Sequence, residues 1–179
     1  MSTSESLTIR PMRSADLGAV LAWRNRPEVR HCMFTDHEIS LEEHTKWFSK
    51  MSNDASRRLL IVEDREVPLG FVNYSNVTPG AISDWGFYAA ADAPRGSGKR
   101  LGAVAIAFAF ESLKLHKICG QALDFNEKSI RMHLSLGFTR EGVLRDQHLK
   151  NGFYHDLICF GLLRSEYHIA NTPPYRYEA

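Results

Sequence analysis

The sequence predicts a single α+β domain: a mixed, mostly antiparallel sheet with one parallel strand pair at its centre and helices packed on its faces. Three observations carry this expectation. Apolar or aromatic runs at residues 58–63, 69–77 and 81–89 are separated only by the turns Asp64-Arg65-Glu66 and Thr78-Pro79-Gly80, which makes them antiparallel neighbours. A long apolar helix over 98–115 joins the third run to a strand at 116–124, and a helical crossover returns the chain parallel. Lys150-Asn151-Gly152 lies between two strand-like runs, 138–149 and 153–163, in the pattern of a tight hairpin.

From the start of the chain, Leu7 to Met12 alternates as a short strand with Leu7 and Ile9 facing in. Ser14-Ala15-Asp16 offers caps for a helix carrying Leu17, Val20, Leu21 and Trp23, stopped by Pro27. Glu28 to Phe34 forms a further helical turn. Ser40-Leu-Glu-Glu43 is a capping box opening a helix through Met51, with Leu41, Thr45, Phe48 and Met51 on one face and His44 and Trp47 on its flank. These early helices suit a lid beside one sheet edge.

The run Arg58–Glu63 is apolar enough for a strand buried on both faces. The 98–115 helix lines up Leu101, Val104, Ala105, Phe108, Ser112 and Leu115, with Ile106, Ala109, Phe110 and Leu113 beside them. That stripe is too wide for a surface helix and calls for burial against the sheet. Ile118, Gly120 and Ala122 share a face of the next strand. Asn126 caps a second helix over 127–136, closed by Gly137 where positive φ is favoured. From His168 the chain is polar, holds two prolines and is expected to fray. All of 1–179 is one domain, with a core of about 7–165 and a tail of 166–179.

Composition narrows the function classes. A chain of 179 residues buries about 70% of its unfolded surface without staples. The net charge of +1 supplies no global field for nucleic acid or an anionic membrane, and neither partner is expected. Cys32, Cys119 and Cys159 are odd in number and widely spaced, as reduced thiols of a cytoplasmic protein. The polar N-terminus is no signal peptide, and no apolar run is free enough of charge to span a bilayer. Neither His-x-x-x-His spacing nor a carboxylate cluster points to a metal.

The turn before the long helix reads Arg95-Gly96-Ser97-Gly98-Lys99-Arg100. Main-chain N–H groups at a helix start carry partial positive charge, glycine lets main chain approach a ligand, and three cations add full charge. Together they fit a pyrophosphate, although the same residues also describe a tight solvated turn. A P-loop is disfavoured, because Arg100 and Leu101 follow Lys99 where Ser or Thr would hold a metal ion. The three spaced glycines and later acid of a dinucleotide fingerprint are not evident.

Three blocks in the right order resemble the Gcn5-related N-acetyltransferase (GNAT) superfamily. Arg95-x-x-Gly98-x follows its Gln/Arg-x-x-Gly-x-Gly/Ala cofactor motif, with Arg100 where a small residue is usual. Asn126 to Phe138 is similar to the family helix that ends in Leu-Gly-Phe. Glu141-Gly-Val-Leu-Arg145 and Gly152-Phe-Tyr-His-Asp156 resemble the branch with the ribosomal-protein acetyltransferases. Trp23-Arg-Asn25, Val29-Arg30, Met33, Ile39, His44-x-x-Trp47, Trp85-Gly-Phe-Tyr88 and Ser129-Ile-Arg-x-His133 look like the enzymes of pseudaminic acid synthesis that acetylate a UDP-linked 4-amino sugar. The likeness spans roughly residues 7–165.

The resemblance implies a splayed central parallel pair, acetyl-CoA as cosubstrate, no metal, and direct attack of an amine on the thioester. It assigns pantetheine contacts to the main chain of Phe87 and Tyr88 and to Asn126. The pyrophosphate falls to Arg95, Gly96, Ser97, Gly98, Lys99 and Arg100. Counting back from Leu136-Gly137-Phe138, His133 stands where many relatives carry a tyrosine acid, so it is expected to support departure of the thiolate. The alternative is a histidine tucked against the sheet with both nitrogens satisfied. Some relatives place a glutamate base where this chain has Gln121, which takes no proton at neutral pH. Asp84 on the facing strand is the substitute candidate, with His44 or a water relay as alternatives, and it equally reads as a solvated strand residue.

Arg24, Arg30, His44, Trp47, Asn73 and Trp85 are candidate acceptor contacts, since guanidinium suits phosphate and aromatic rings suit a sugar or base. The expected acceptor is UDP-4-amino-4,6-dideoxy-N-acetyl-altrosamine. A protein N-terminus or other small amine is the alternative, as is a non-catalytic acetyl-CoA-binding module. A homodimer is left open.

Overall fold

The structure, a computed structural model, describes residues 7–168 and 172–179. Eight strands form one sheet: β1 (Leu7–Pro11), β2 (Arg58–Asp64), β3 (Val67–Ser75), β4 (Ile82–Ala89), β5 (Lys117–Leu123), β6 (Thr139–Lys150), β7 (Phe153–Leu163) and β8 (Tyr175–Tyr177). Their order is β6-β7-β5-β4-β3-β2-β1-β8. The α-helices are α1 (Leu17–Asn25), α2 (Pro27–His31), α3 (Leu41–Ser52), α4 (Ser97–Glu111) and α5 (Glu127–Ser135).

Strand alternation sorts the core into two layers. Leu60 and Val62 of β2 face α4, whereas Leu59 and Ile61 pack with Val20 and Trp23 of α1. α4 is buried along Leu101, Val104, Ala105, Phe108 and Ala109. Each Leu or Phe so placed is worth about 1.5–3 kcal/mol relative to exposure. The buried Tyr74 hydroxyl donates to the Ala105 carbonyl at 2.8 Å and fixes α4 on the sheet. α4 stops at Glu111 rather than at Leu115, because the Leu113 N–H reaches back to the Phe108 carbonyl (3.0 Å) and Lys114 turns to a φ of 58°. Among the described residues no helix is long and apolar enough to cross a membrane.

The capping box before α3 forms: Ser40 Oγ accepts from the Glu43 N–H, and Glu43 Oε2 accepts from the Ser40 N–H, both at 3.1 Å. The buried face of α3 differs from the expected one. His44 is buried and Trp47, Phe48 and Met51 meet the core, while Leu41 and Thr45 face solvent. Trp47 decides the rotation, since its ring packs edge-on against Phe71 of β3 at 6.1 Å.

Of the segment from His168 that was expected to fray, residues 169–171 lie outside the described residues, and the last strand corrects the expectation for the rest. Tyr175–Tyr177 adds a parallel edge strand to Leu7–Ile9, prepared by the extended Pro173-Pro174 pair, whose Pro174 carbonyl accepts the Leu7 N–H at 2.9 Å. Tyr177 packs on Phe108, and the Tyr175 hydroxyl donates to Glu111 at 3.1 Å. At the hairpin tip, Asn151 and Gly152 both take positive φ (52° and 82°), as a two-residue turn of matching twist requires.

The central pair β4–β5 is parallel but short. Only Ile82, Ser83 and Asp84 pair with Lys117, Ile118 and Cys119. Beyond that point β4 follows β3 to Ala89, and β5 follows β7 to Leu123. The sheet therefore opens as a wedge just after Asp84.

Candidate active site

A cavity of about 290 Å³ occupies this wedge. Its lining comes from both faces of the sheet. Trp85, Phe87, Asn126, Ser129 and His133 border it on the α5 side, and Asp84, Cys119, Gln121 and the segment Cys32–Phe34 on the other. The cavity thus reaches residues on both faces of the sheet. A larger cavity of about 430 Å³ lies between α4, the end of α5 and Tyr167. It touches neither β4 nor β5. Cys32, Phe34 and Cys119 carried no signal in the sequence, and Met33 and Ser129 only as part of the resemblance; Cys119 follows from strand register, as the partner of Asp84.

His133 is 2% exposed and both its nitrogens are engaged. Nδ1 lies 2.8 Å from the Ser129 carbonyl, which only accepts, so Nδ1 carries the proton. Nε2 lies 3.2 Å from the indole nitrogen of Trp85, which only donates, so Nε2 is the acceptor. Burial pushes the imidazole below the ordinary histidine range, partly offset by its bond to Ser129. The ring stacks on Phe160 at 4.7 Å. A neutral imidazole with no proton on Nε2 cannot hand one to a leaving thiolate. The expected acid role is therefore corrected: His133 positions Trp85. Gly120 makes room for the pair, since a Cβ there would lie 2.3 Å from His133 Nε2 and 2.8 Å from Trp85 Nε1.

Trp85 is itself corrected as an acceptor platform. It is buried, stacked on Phe138 at 5.1 Å and packed against Phe87 at 4.7 Å. Asp84 is exposed on the wedge, and Asn76 Nδ2 lies 3.5 Å from one of its oxygens. It is the only carboxylate lining the cavity among the described residues. Asn73 does not line the cavity. Its amide donates to the Gly86 carbonyl at 3.2 Å and braces β4 where it leaves β5.

At the start of α4, Gly96 takes a φ of 88° as the cap, and Arg95 and Lys99 stand exposed with no carboxylate partner among the described residues. Ser97 Oγ is buried without a hydrogen-bond partner, the kind of atom a phosphate oxygen satisfies. These residues fit a diphosphate. Two details differ from expectation. Arg100 turns away and pairs with Asp64 at 2.8 Å, so it leaves the cradle. Gly98 serves helix packing, since a Cβ there would meet Met132 Cε at 2.6 Å. Asn126 Oδ1 accepts the Ser129 N–H at 3.1 Å, capping α5 and leaving its amide nitrogen on the cavity side.

On the opposite face, Arg24 is buried and lacks a carboxylate. Its Nη2 donates to the Thr35 carbonyl at 2.8 Å, and its Nη1 has no partner. Arg30 pairs with Glu38 at 3.3 Å, yet its Nε is buried and unpartnered. His44 stacks on Trp47 at 5.1 Å with its Nε2 likewise unpartnered, and burial, then the nearby Arg24, pushes its pKa down. Trp47 thus spends one face on His44 and an edge on Phe71, which makes it a wall of this cluster rather than an open platform.

A model of the acetyltransferase (GNAT) domain matches residues 6–139, more than half of the chain. The chain belongs to the GNAT family. It is an acetyl-CoA-dependent N-acetyltransferase. It is 28% identical over 148 residues to the acetyltransferase PseH of Campylobacter jejuni, covering 83% of this chain and 87% of that one. It is 26% identical over 169 residues to the spermidine N(1)-acetyltransferase of Vibrio cholerae, covering 92% and 96%. A crystal structure of spermidine N-acetyltransferase from Vibrio cholerae with CoA and spermine superposes with a TM-score of 0.82 over 90% of this chain and 97% of that one, at 24% identity, which establishes the shared fold. As a GNAT, this chain departs from the family pattern at Arg100, which pairs with Asp64, at Gln121, which lines the cavity, and at His133, which accepts from Trp85.

Proposed function

We propose that this GNAT transfers acetyl to the 4-amino group of a UDP-linked aminodideoxy sugar. The observation that carries the reading is the buried Arg24, whose Nη1 has no partner, beside the half-buried Arg30, whose Nε is likewise unpartnered although its Nη1 pairs with Glu38. Burying an unpaired cationic donor is costly, and an anionic acceptor group offsets that cost. A diphosphate meets the need and a polyamine does not. A polyamine would want several carboxylates, whereas the cavity lining offers Asp84 alone. The likeness to PseH supports the same choice.

Bound acetyl-CoA supplies the acetyl thioester; the chain binds and orients. Arg95, Lys99 and Ser97 hold the diphosphate at the start of α4, with the helix dipole behind them. The main chain of Phe87 and Tyr88, freed from β5 by the splay, and the Asn126 amide nitrogen hold the pantetheine arm. Asp84 takes the proton from the acceptor ammonium, and Arg24, Arg30 and His44 hold the acceptor's phosphates on the far side of the wedge. Release of free thiol from acetyl-CoA is the test, with the UDP-4-amino sugar, spermidine and a peptide N-terminus as amines. Fast release with the sugar alone is expected. Coenzyme binding without amine-dependent release would mean a binding module.

A further inference from the structure

Lys150 closes the β6–β7 hairpin, paired with Phe153 across the turn. A lysine beside an exposed turn normally extends its ammonium into water. This one is only 5% exposed. Its Nζ donates to the Met33 carbonyl at 2.8 Å and lies 3.4 Å from Asp36 Oδ2. Two residues earlier on the same strand, the His148 ring packs edge-on against Phe34 at 5.3 Å. From the opposite side, Arg24 Nη2 holds the Thr35 carbonyl at 2.8 Å. The segment 32–36 is thus pinned at alternate carbonyls by two buried cations from elements far apart in the sequence. Its Cys32, Met33 and Phe34 form one wall of the wedge cavity.

We propose that Lys150 is a positioning residue for the acceptor: by locking the segment 32–36 it fixes the wall of the cavity that faces the incoming amine. The inference rests on the reading of the wedge as the site of transfer. An ammonium taken out of water keeps its geometry only while both partners stay, so the hairpin and the segment are locked as one unit. The coenzyme half of the site, at α4 and α5, is untouched by this clamp.

Lys150→Met keeps the length of the side chain and removes the charge. Hydrogen exchange read by mass spectrometry should speed up about tenfold or more over residues 30–38 and stay unchanged in α4 and β5. With acetyl-CoA and UDP-4-amino-4,6-dideoxy-N-acetyl-altrosamine, KM for the sugar should rise about fivefold or more, with KM for acetyl-CoA within about twofold. Asp36→Asn, which keeps the Met33 bond, should give smaller changes in the same direction, and it serves if the first variant folds poorly. Unchanged exchange in the variants overturns the clamp. Faster exchange with an unchanged KM for the sugar, or equal rises in both KM values, overturns the positioning role. If the unaltered protein does not turn over the sugar, the acceptor reading fails, and the exchange measurement alone decides the clamp.

Discussion

The indole N–H of Trp85 donates to Nε2 of His133 at 3.2 Å, and Nδ1 of the same imidazole donates to the Ser129 carbonyl at 2.8 Å. This chain of bonds fixes the tautomer and leaves the histidine without a transferable proton. Accordingly, His133→Ala should behave as a packing variant. It removes a buried ring and orphans the Trp85 N–H, for a loss of about 2–4 kcal/mol in stability. Well below its Tm, kcat should stay within about tenfold and the pH–rate profile should keep its shape. Disappearance of one limb of that profile would restore the acid role.

The same buried imidazole makes stability depend on pH. His133 and His44 are both held below the usual histidine value of about 6.5, so the unfolded chain binds more protons than the folded one below that pH. Their stabilising contribution is complete above about pH 6.5 and fades as pH falls towards the folded values. Denaturant unfolding between pH 7.5 and 5 should show this decline at up to about 1.4 kcal/mol per pH unit per group. His133→Gln should flatten the slope in part, with His44 supplying the remainder. An identical slope in the variant would mean that His133 is not buried as a neutral ring.

Gly120 is the residue on which the Trp85–His133 pair depends. A methyl group there would sit 2.3 Å from Nε2. Gly120→Ala should cost about 1–3 kcal/mol, as overpacking does, and shift the near-UV circular dichroism of the displaced indole. A variant as stable as the parent, with the same spectrum, would show that the pair has slack.

The cations around the α4 turn should separate by role. Lys99→Ala and Arg95→Ala should each raise KM for acetyl-CoA about three- to tenfold, with an effect that shrinks in high salt. Arg100→Ala should leave KM nearly alone and cost at most about 1 kcal/mol, because its pair with Asp64 is partly exposed. A large KM effect confined to Arg100 would reverse this assignment.

Much of the frame was legible because it is written in local chemistry. Ser40 and Glu43 specify a capping box, Asn151-Gly152 a hairpin, and the apolar run of α4 a crossover that must be parallel. The splay of that parallel pair is what the family resemblance implies, and its start after Asp84 is seen only in the strand register. The remainder depends on register and on partners distant in the sequence. Arg100 meets Asp64 and Lys150 meets Met33 only once the sheet is assembled. The last residues are polar and proline-bearing, yet Tyr175 and Tyr177 hold their strand in place, the first through Glu111 and the second on Phe108, contacts that no local pattern announces. The proton count on His133 rests on Trp85, 48 residues away, and on a glycine that no spacing rule singles out.

One competition measurement bears most directly on the claim that the wedge accepts an anionic sugar nucleotide. Equal concentrations of UDP-4-amino-4,6-dideoxy-N-acetyl-altrosamine and spermidine, limiting acetyl-CoA and the protein are mixed, and both amines are followed by mass spectrometry. With Arg24 and Arg30 holding the acceptor's phosphates, nearly all acetyl groups should appear on the sugar. Acetylated spermidine as the main product, with the sugar unchanged, would contradict that account.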